Sequence, residues 1–229
     1  MKIKTLEEIL KKKSSKTEFA ILTNLENGDS EIYLPGTSPK GEFSKYADEI
    51  ENFFKSKKNG VIENSEIFVE TYIKPIKVII VGAVHIAQYL VDFAKSLNFE
   101  ISIIDPRGYF ASEQRFPDIK VINKWPKEAF EEIETNSTTA LIALTHDPKI
   151  DDQGIHAALN SNAFYIGCLG SKRTHSKRLG RLKDAGFSEK QLNRIHGPIG
   201  LDISAKSPAE ISVSIMAQII QIQNKLEAL

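Results

Sequence analysis

The chain has 229 residues, room for one large domain or two unequal ones, and 41% of them are hydrophobic, enough for a sizeable core. Thirty basic residues balance thirty acidic ones, and this zero formal charge argues against nucleic acid as a general partner. The one cysteine, Cys168, leaves no intrachain disulfide, the opening Met-Lys-Ile-Lys-Thr-Leu-Glu-Glu is too charged for a signal peptide, and no apolar run approaches a membrane span, so a cytoplasmic protein is expected. Residues 1–14 read as an amphipathic helix ending in Lys11-Lys12-Lys13, a solvated last turn. Two apolar segments between Phe19 and Leu34 flank Asn27-Gly28, a hairpin signal. A helix is expected over 43–57, with Tyr46, Ile50, Phe53 and Phe54 facing inward and Gly60 ending it. A strand is expected over 65–73. Lys74-Pro75 looks like a linker, which puts a small α+β domain at 1–74 and a second domain at 75–229.

From residue 76 strands and helices alternate. Strands are expected at 77–82, 100–105, 119–122, 139–145 and 163–167, with helices at about 85–97, 126–134 and 151–160 between them. A basic helix at 172–184, a shorter one at 188–195 and a long one at 208–226 follow. Ser188 with Gln191, and Ser207 with Glu210, have capping-box spacing. The rhythm implies an α/β fold, a mostly parallel Rossmann-like sheet with helices on both faces. Its first unit is the strand Lys77-Val-Ile-Ile-Val81, the turn at Gly82 and the helix that starts near His85. The dinucleotide fingerprint reads Gly82-Ala83-Val84-His85-Ile86-Ala87, with a branched side chain where the second glycine normally lets a pyrophosphate approach. Asp105, at the tip of the second strand, sits where an acid can reach a ribose hydroxyl.

Polar residues cluster at the strand ends, where open parallel sheets bind ligands. They are His85, then Asp105 and Arg107, then Thr145, His146 and Asp147, then Gly167, Cys168, Gly170, Ser171, Lys172 and Arg173, and beyond them His196 and Asp202. Gly167 to His175 is the best anion site. Its glycines free the backbone, Ser171 caps a helix, and Lys172, Arg173, Lys177 and Arg178 add positive charge, unless they simply form a solvated basic face. His85, His146, Asp147 and His196 are the residues that could converge as metal ligands, but no pair has ligand spacing, and the alternative is that Asp147-Pro148 starts a turn and Asp151 or Asp152 caps the next helix. Cys168 is either a thiolate stabilised by the helix start or a small residue filling a strand end. Glu113 and Arg115 either pair with each other or face the ligand. No catalytic group is assigned.

These motifs, in order, resemble a known family. Asp105-Pro-Arg, Glu113-Gln-Arg-Phe-Pro117, Leu144-Thr-His-Asp-Pro-Lys149, Tyr165-Ile-Gly-Cys-Leu-Gly-Ser-Lys-Arg-Thr174, Arg194-Ile-His-Gly-Pro-Ile-Gly-Leu-Asp202 and Ser207-Pro-Ala-Glu-Ile211 are similar to those of the XdhC/CoxI family, over about residues 77–220. The resemblance implies an accessory protein that binds the molybdenum cofactor (molybdopterin), assists its sulfuration with a cysteine desulfurase, and inserts it into an apo-enzyme of the xanthine dehydrogenase or carbon monoxide dehydrogenase type. It also implies a small N-terminal domain before a Rossmann-like one. The chain departs from the family at Val84, where Gly-Ala-Gly-His is usual, and it lacks the Ser-Ser-Pro-Arg and Gly-Gly-Cys segments of the N-terminal domain. The alternatives are an NAD(P)-dependent oxidoreductase using His85 or His146 as acid/base, and a catalytically silent nucleotide-binding regulatory module. A nucleotide therefore stands beside the molybdenum cofactor as a candidate ligand. A homodimer through the long C-terminal helix is the oligomer to look for.

Overall fold

The structure, a computed structural model, describes residues 3–15 and 17–227, and the chain falls into two compact units, Met1–Lys74 and Pro75–Leu229. The first unit opens with helix α1 (Ile3–Ser14); residues 1 and 2 of the expected helix lie outside the described residues. Strands β1 (Phe19–Asn24) and β2 (Ser30–Tyr33) form the hairpin, with Gly28 in its turn at φ +75°. A 3-10 turn (Gly41–Tyr46), helix α2 (Ala47–Lys55) and strands β3 (Gly60–Val61) and β4 (Ile67–Tyr72) complete an antiparallel sheet of order β2-β1-β4-β3. Alternate residues of β1 pack to opposite sides, Ala20 and Leu22 with Ile50 and Phe54, Phe19 and Ile21 with Ile9. This strand is therefore apolar from Phe19 to Leu22 without alternation. The helix expected over 43–57 begins late, because its first turn is wound as the tighter 3-10 form. It ends early, where Lys57 turns to φ +52°. The two-residue β3 is too short to show a period.

The second unit carries strands β5 (Lys77–Val81), β6 (Glu100–Ile104), β7 (Lys120–Ile122), β8 (Thr139–Ala143), β9 (Tyr165–Cys168) and β10 (Ile195–His196) in one parallel sheet of order β10-β9-β8-β5-β6-β7. Helices α3 (His85–Ser96) and α8 (Pro208–Glu227) cover one face, packing Leu90, Ala94, Ile215 and Ile219 on Val78, Ile80 and Ile142. Helices α4 (Pro126–Glu132), α5 (Pro148–Leu159) and α6 (Lys172–Asp184) cover the other, packing Ala129, Ile155 and Leu182 on Ile79, Val81, Leu141, Ala143 and Ile166. Burial on both faces explains the unbroken Val/Ile runs, and each fully buried aliphatic side chain contributes about 1.5–3 kcal/mol.

In this second unit two elements differ from the sequence reading by more than two residues. Helix α5 starts at Pro148, three residues early, because Asp147 caps it by accepting the Lys149 amide at 2.9 Å. Asp151 and Asp152, expected as caps, are interior to the helix. The helix expected over 188–195 stops after α7 (Glu189–Leu192), and Ile195 and His196 instead join the sheet beside Ile166 and Gly167. Arg194 sets that edge, donating to the carbonyls of Leu159, Ser161 and Ala163 at 2.8–2.9 Å.

From β5 the chain steps outward through β6 to β7, then returns to β8 on the other side of β5. The reversal point lies between β5 and β8, and a crevice forms there at the carboxyl ends of the strands. Gly82 makes the crossing tight. Its φ is +114°, and a Cβ there would stand 2.7 Å from Thr145 Cγ2. Among the described residues no helix is long and apolar enough to cross a membrane.

Candidate functional site

The rim divides at the β5–β8 reversal. On the β5–β6 side, Asp105 is 0% exposed and both its oxygens are taken. Oδ2 accepts the Ala83 amide at 2.9 Å and Arg107 Nη2 at 2.8 Å; Oδ1 accepts the Arg107 amide at 3.0 Å and its Nε at 2.9 Å. Burial pushes this carboxyl up, but the Arg107 guanidinium and the two amides outweigh it and hold it below its usual value. Each oxygen of Asp105, the acid read from the sequence for a ribose hydroxyl, thus holds two internal donors in this structure. The Ala83 carbonyl is also taken, by Arg115 Nη1 at 2.7 Å, while Arg115 Nη2 reaches Gln88 at 3.2 Å. Arg115 thus clasps the glycine turn from a residue 32 positions away, and it does so without Glu113. Among the backbone groups of the turn, the Ala83 amide is spent on Asp105, and Val84, at the position where a glycine would admit a pyrophosphate, is half-buried beside it. His85 is exposed and stands edge-on to Tyr89.

The β8–β9 side is built differently. The Thr145-His146 turn bends back over α5, with His146 at φ +63°. Asp151, 2% exposed, holds it there by accepting Thr145 Oγ1 at 2.7 Å and the amides of Thr145 and His146 at 3.1 Å. Burial pushes the Asp151 carboxyl up despite those bonds. Next to it, β9 runs out into Leu169-Gly170 after Cys168, Gly170 at φ +138°, and Ser171 caps α6 by accepting the Thr174 amide at 3.2 Å. The first turns of α5 and α6 enclose a cavity of about 310 Å³, lined by His146 and Asp151 and by Arg173, Lys177, Arg178 and Arg181 along α6. Arg181 is held by both oxygens of Asp152, at 2.7 and 3.0 Å. Arg173 and Lys177 are exposed, whereas Arg178 is 2% exposed and donates through Nη2 to the Leu169 carbonyl at 2.9 Å. Two helix starts and an excess of cations give this half of the rim a positive character.

From the residues expected at the site, the structure brings His146 and Arg173 into the cavity lining, with Thr145, Asp147, Gly170, Ser171 and Lys172 in the turns that shape it. Gly167 is a packing glycine under Ile199 and Tyr165. Cys168 is fully buried in the core on the α5–α6 side. Burial pushes its thiol up to about 12, against the opposing pull of Arg178, so the thiolate considered from the sequence does not form there. His196 stacks on Tyr165 at 5.0 Å, and burial lowers its pKa. Asp202 is exposed and accepts only the Ser204 amide at 3.5 Å. Gln218 of α8 ties this last loop down, accepting Tyr165 Oη and the Gly200 amide at 2.6 and 2.9 Å. Among the described residues no group of three or more His, Cys, Asp or Glu side chains is placed to hold a metal ion. The sequence reading took Asp151 for a helix cap and Arg178 for one of several surface cations, and so missed the burial of both. The available signal was helical spacing, since Arg178 lies four residues before the buried Leu182 and shares its inward stripe.

Comparison with known proteins fits this architecture. The family described as the XdhC Rossmann domain matches residues 78–219. The molybdenum cofactor insertion chaperone PaoD of Escherichia coli is 31% identical over 106 residues, 46% of this chain and 33% of that protein. A probable xanthine dehydrogenase subunit of Bacillus subtilis is 26% identical over 166 residues, 72% of this chain and 48% of that protein. The matched segments thus span between a third and a half of these curated relatives. A crystal structure described as a xanthine dehydrogenase from Bacillus halodurans shares the fold, with a TM-score of 0.74 at 23% identity over 97% of this chain and 64% of that one. With residues 78–219 matched, across the sheet and both halves of the rim, the chain belongs to the XdhC Rossmann-domain family.

Proposed function

We propose that the chain is an accessory protein that binds the molybdenum cofactor, assists its sulfuration and delivers it to a molybdenum hydroxylase of the xanthine dehydrogenase or carbon monoxide dehydrogenase type. The observation that carries this reading is the contrast within the rim. The Ala83 amide of the glycine turn and Asp105, the acid read for a ribose hydroxyl, are held by internal partners, while a cationic cavity lies beyond the reversal point. A nicotinamide dinucleotide gains little from such a turn. A pterin ending in a phosphate gains from the cavity, with the crevice shielding its metal-bearing end. The name of the Escherichia coli relative, a molybdenum cofactor insertion chaperone, agrees with this cargo. Any sulfur would come from a cysteine desulfurase without a relay through this chain, because its one thiol, Cys168, is buried and protonated at neutral pH. His85, Thr145, His146 and Asp147 would then border the pterin, and the action would be cytoplasmic.

The test is transfer. Chain preloaded anaerobically with the cofactor and mixed with an apo-hydroxylase should restore hydroxylase activity faster than free cofactor at equal concentration. Equal rates with and without the chain would rule out delivery.

A further inference from the structure

Arg178 is buried beyond what the fold requires. Its Nε and Nη1 are buried without any hydrogen-bond partner, and only Nη2 is used. A guanidinium in such a place is costly unless a counter-charge joins it. Asp151, the one carboxylate in the same lining, is occupied with Thr145 and His146 and forms no ion pair with it. With Arg181 neutralised by Asp152, the cavity holds the three cations Arg173, Lys177 and Arg178 against Asp151 alone, two positive charges in excess. The first turn of α6 adds amides that have no intrahelical partner by position.

We propose that this cavity is a subsite for a phosphate monoester dianion, with Arg178 as its buried anchor and Arg173 and Lys177 closing over it. The subsite lies on the β8–β9 side and not at the glycine turn. Its assignment to the phosphate end of the pterin rests on the carrier reading above; the dianion site itself does not. Charge-assisted bonds to a phosphate are the strong kind, and their number here gives recognition without any base or ring contact.

The experiment is calorimetric titration of the full chain with inorganic phosphate at pH 8, followed by AMP and by isolated molybdenum cofactor. Wild type should bind one phosphate. Lys177→Ala should weaken it about tenfold and Arg173→Ala with Lys177→Ala about a hundredfold, as expected for lost charge-assisted bonds. Arg178→Met should abolish binding while leaving the phosphate-free melting temperature undiminished, which a structural role for the guanidinium would not allow. Lys190→Ala, exposed on α7, should bind as wild type. Unchanged phosphate affinity in the Lys177 and double variants would overturn the subsite, whatever Arg178→Met does to folding. Cofactor bound equally by wild type and Lys177→Ala would sink the assignment of the subsite to the pterin phosphate and leave the carrier reading standing. Phosphate binding weakened as expected, with no cofactor bound, would sink the carrier reading and leave the dianion site standing. AMP bound more tightly than the cofactor would keep the dianion site and assign it to a nucleotide.

Discussion

The two halves of the rim each set one buried carboxylate near a guanidinium, and they use the two groups in opposite ways. On the β5–β6 side Asp105 and Arg107 face each other at 2.8 Å, and the surplus acceptor positions of Asp105 go to backbone amides. That network is closed, and it makes the glycine turn rigid. On the β8–β9 side Asp151 and Arg178 are buried close enough to influence one another, yet each is bonded elsewhere, and Arg178 keeps two unsatisfied nitrogens. That network is open. A closed network contributes to stability and leaves nothing for a ligand, whereas an open one costs stability until an anion completes it. The proposed subsite accordingly lies at the fourth and fifth βα turns of the parallel sheet and not at the first.

The contrast is broken most severely at Asp105. Asp105→Ala leaves the Ala83 amide without its acceptor and the partly exposed Arg107 guanidinium without its partner, and the cost should be about 3 kcal/mol in denaturant unfolding. The pH dependence has a defined sign. The folded Asp105 is more acidic than in the unfolded chain, so its contribution is complete above about pH 4 and is lost as pH falls through the lower folded value. Asp151 works in the other direction, since its raised folded value favours the folded state more as pH falls. Asp105→Asn should accordingly flatten the acid limb of the stability profile, and Asp151→Asn should steepen it.

Gly82→Ala comes next. It combines a φ of +114° with a Cβ 2.7 Å from Thr145 Cγ2, and strain of this kind costs about 1–3 kcal/mol, read as a lower unfolding midpoint with unchanged m-value. Asp147→Ala removes the α5 cap and should cost about 1 kcal/mol by the same measurement. The smallest effect sharpens the comparison most. Val84→Gly restores the second fingerprint glycine, yet NADH fluorescence titration should show no gain in affinity, because the Ala83 amide stays on Asp105. Tight NADH binding by this variant would mean that the valine side chain, and not the closed network, is what blocks the turn.

Much of the second unit was legible because its strands are buried on both faces, so Val78–Val81 and Ala140–Leu144 stand out as apolar runs with helical periods between them. Gly82, Asp105 and Ser171 were legible as markers of strand ends. Their partners were not. Ala83 meets Asp105 across 22 residues and Arg115 across 32, and no local pattern encodes those bonds. Strand β10 was hidden because two residues carry no period, and its place is set by Arg194 reaching carbonyls more than 30 positions back. The basic run Lys172 to Arg181 looked uniform by composition. Only helix geometry separates Arg178, turned inward above Leu182, from Arg173 and Lys177 in solvent.

The most direct test of the central claim is anaerobic equilibrium binding of the full chain to isolated molybdenum cofactor, with NADH and NADPH titrated in parallel. The cofactor should bind saturably and one-to-one, more tightly than either nicotinamide nucleotide, and Arg173→Ala should weaken it. Binding of NADH or NADPH in place of the cofactor would contradict this and return the glycine turn to the centre of the site.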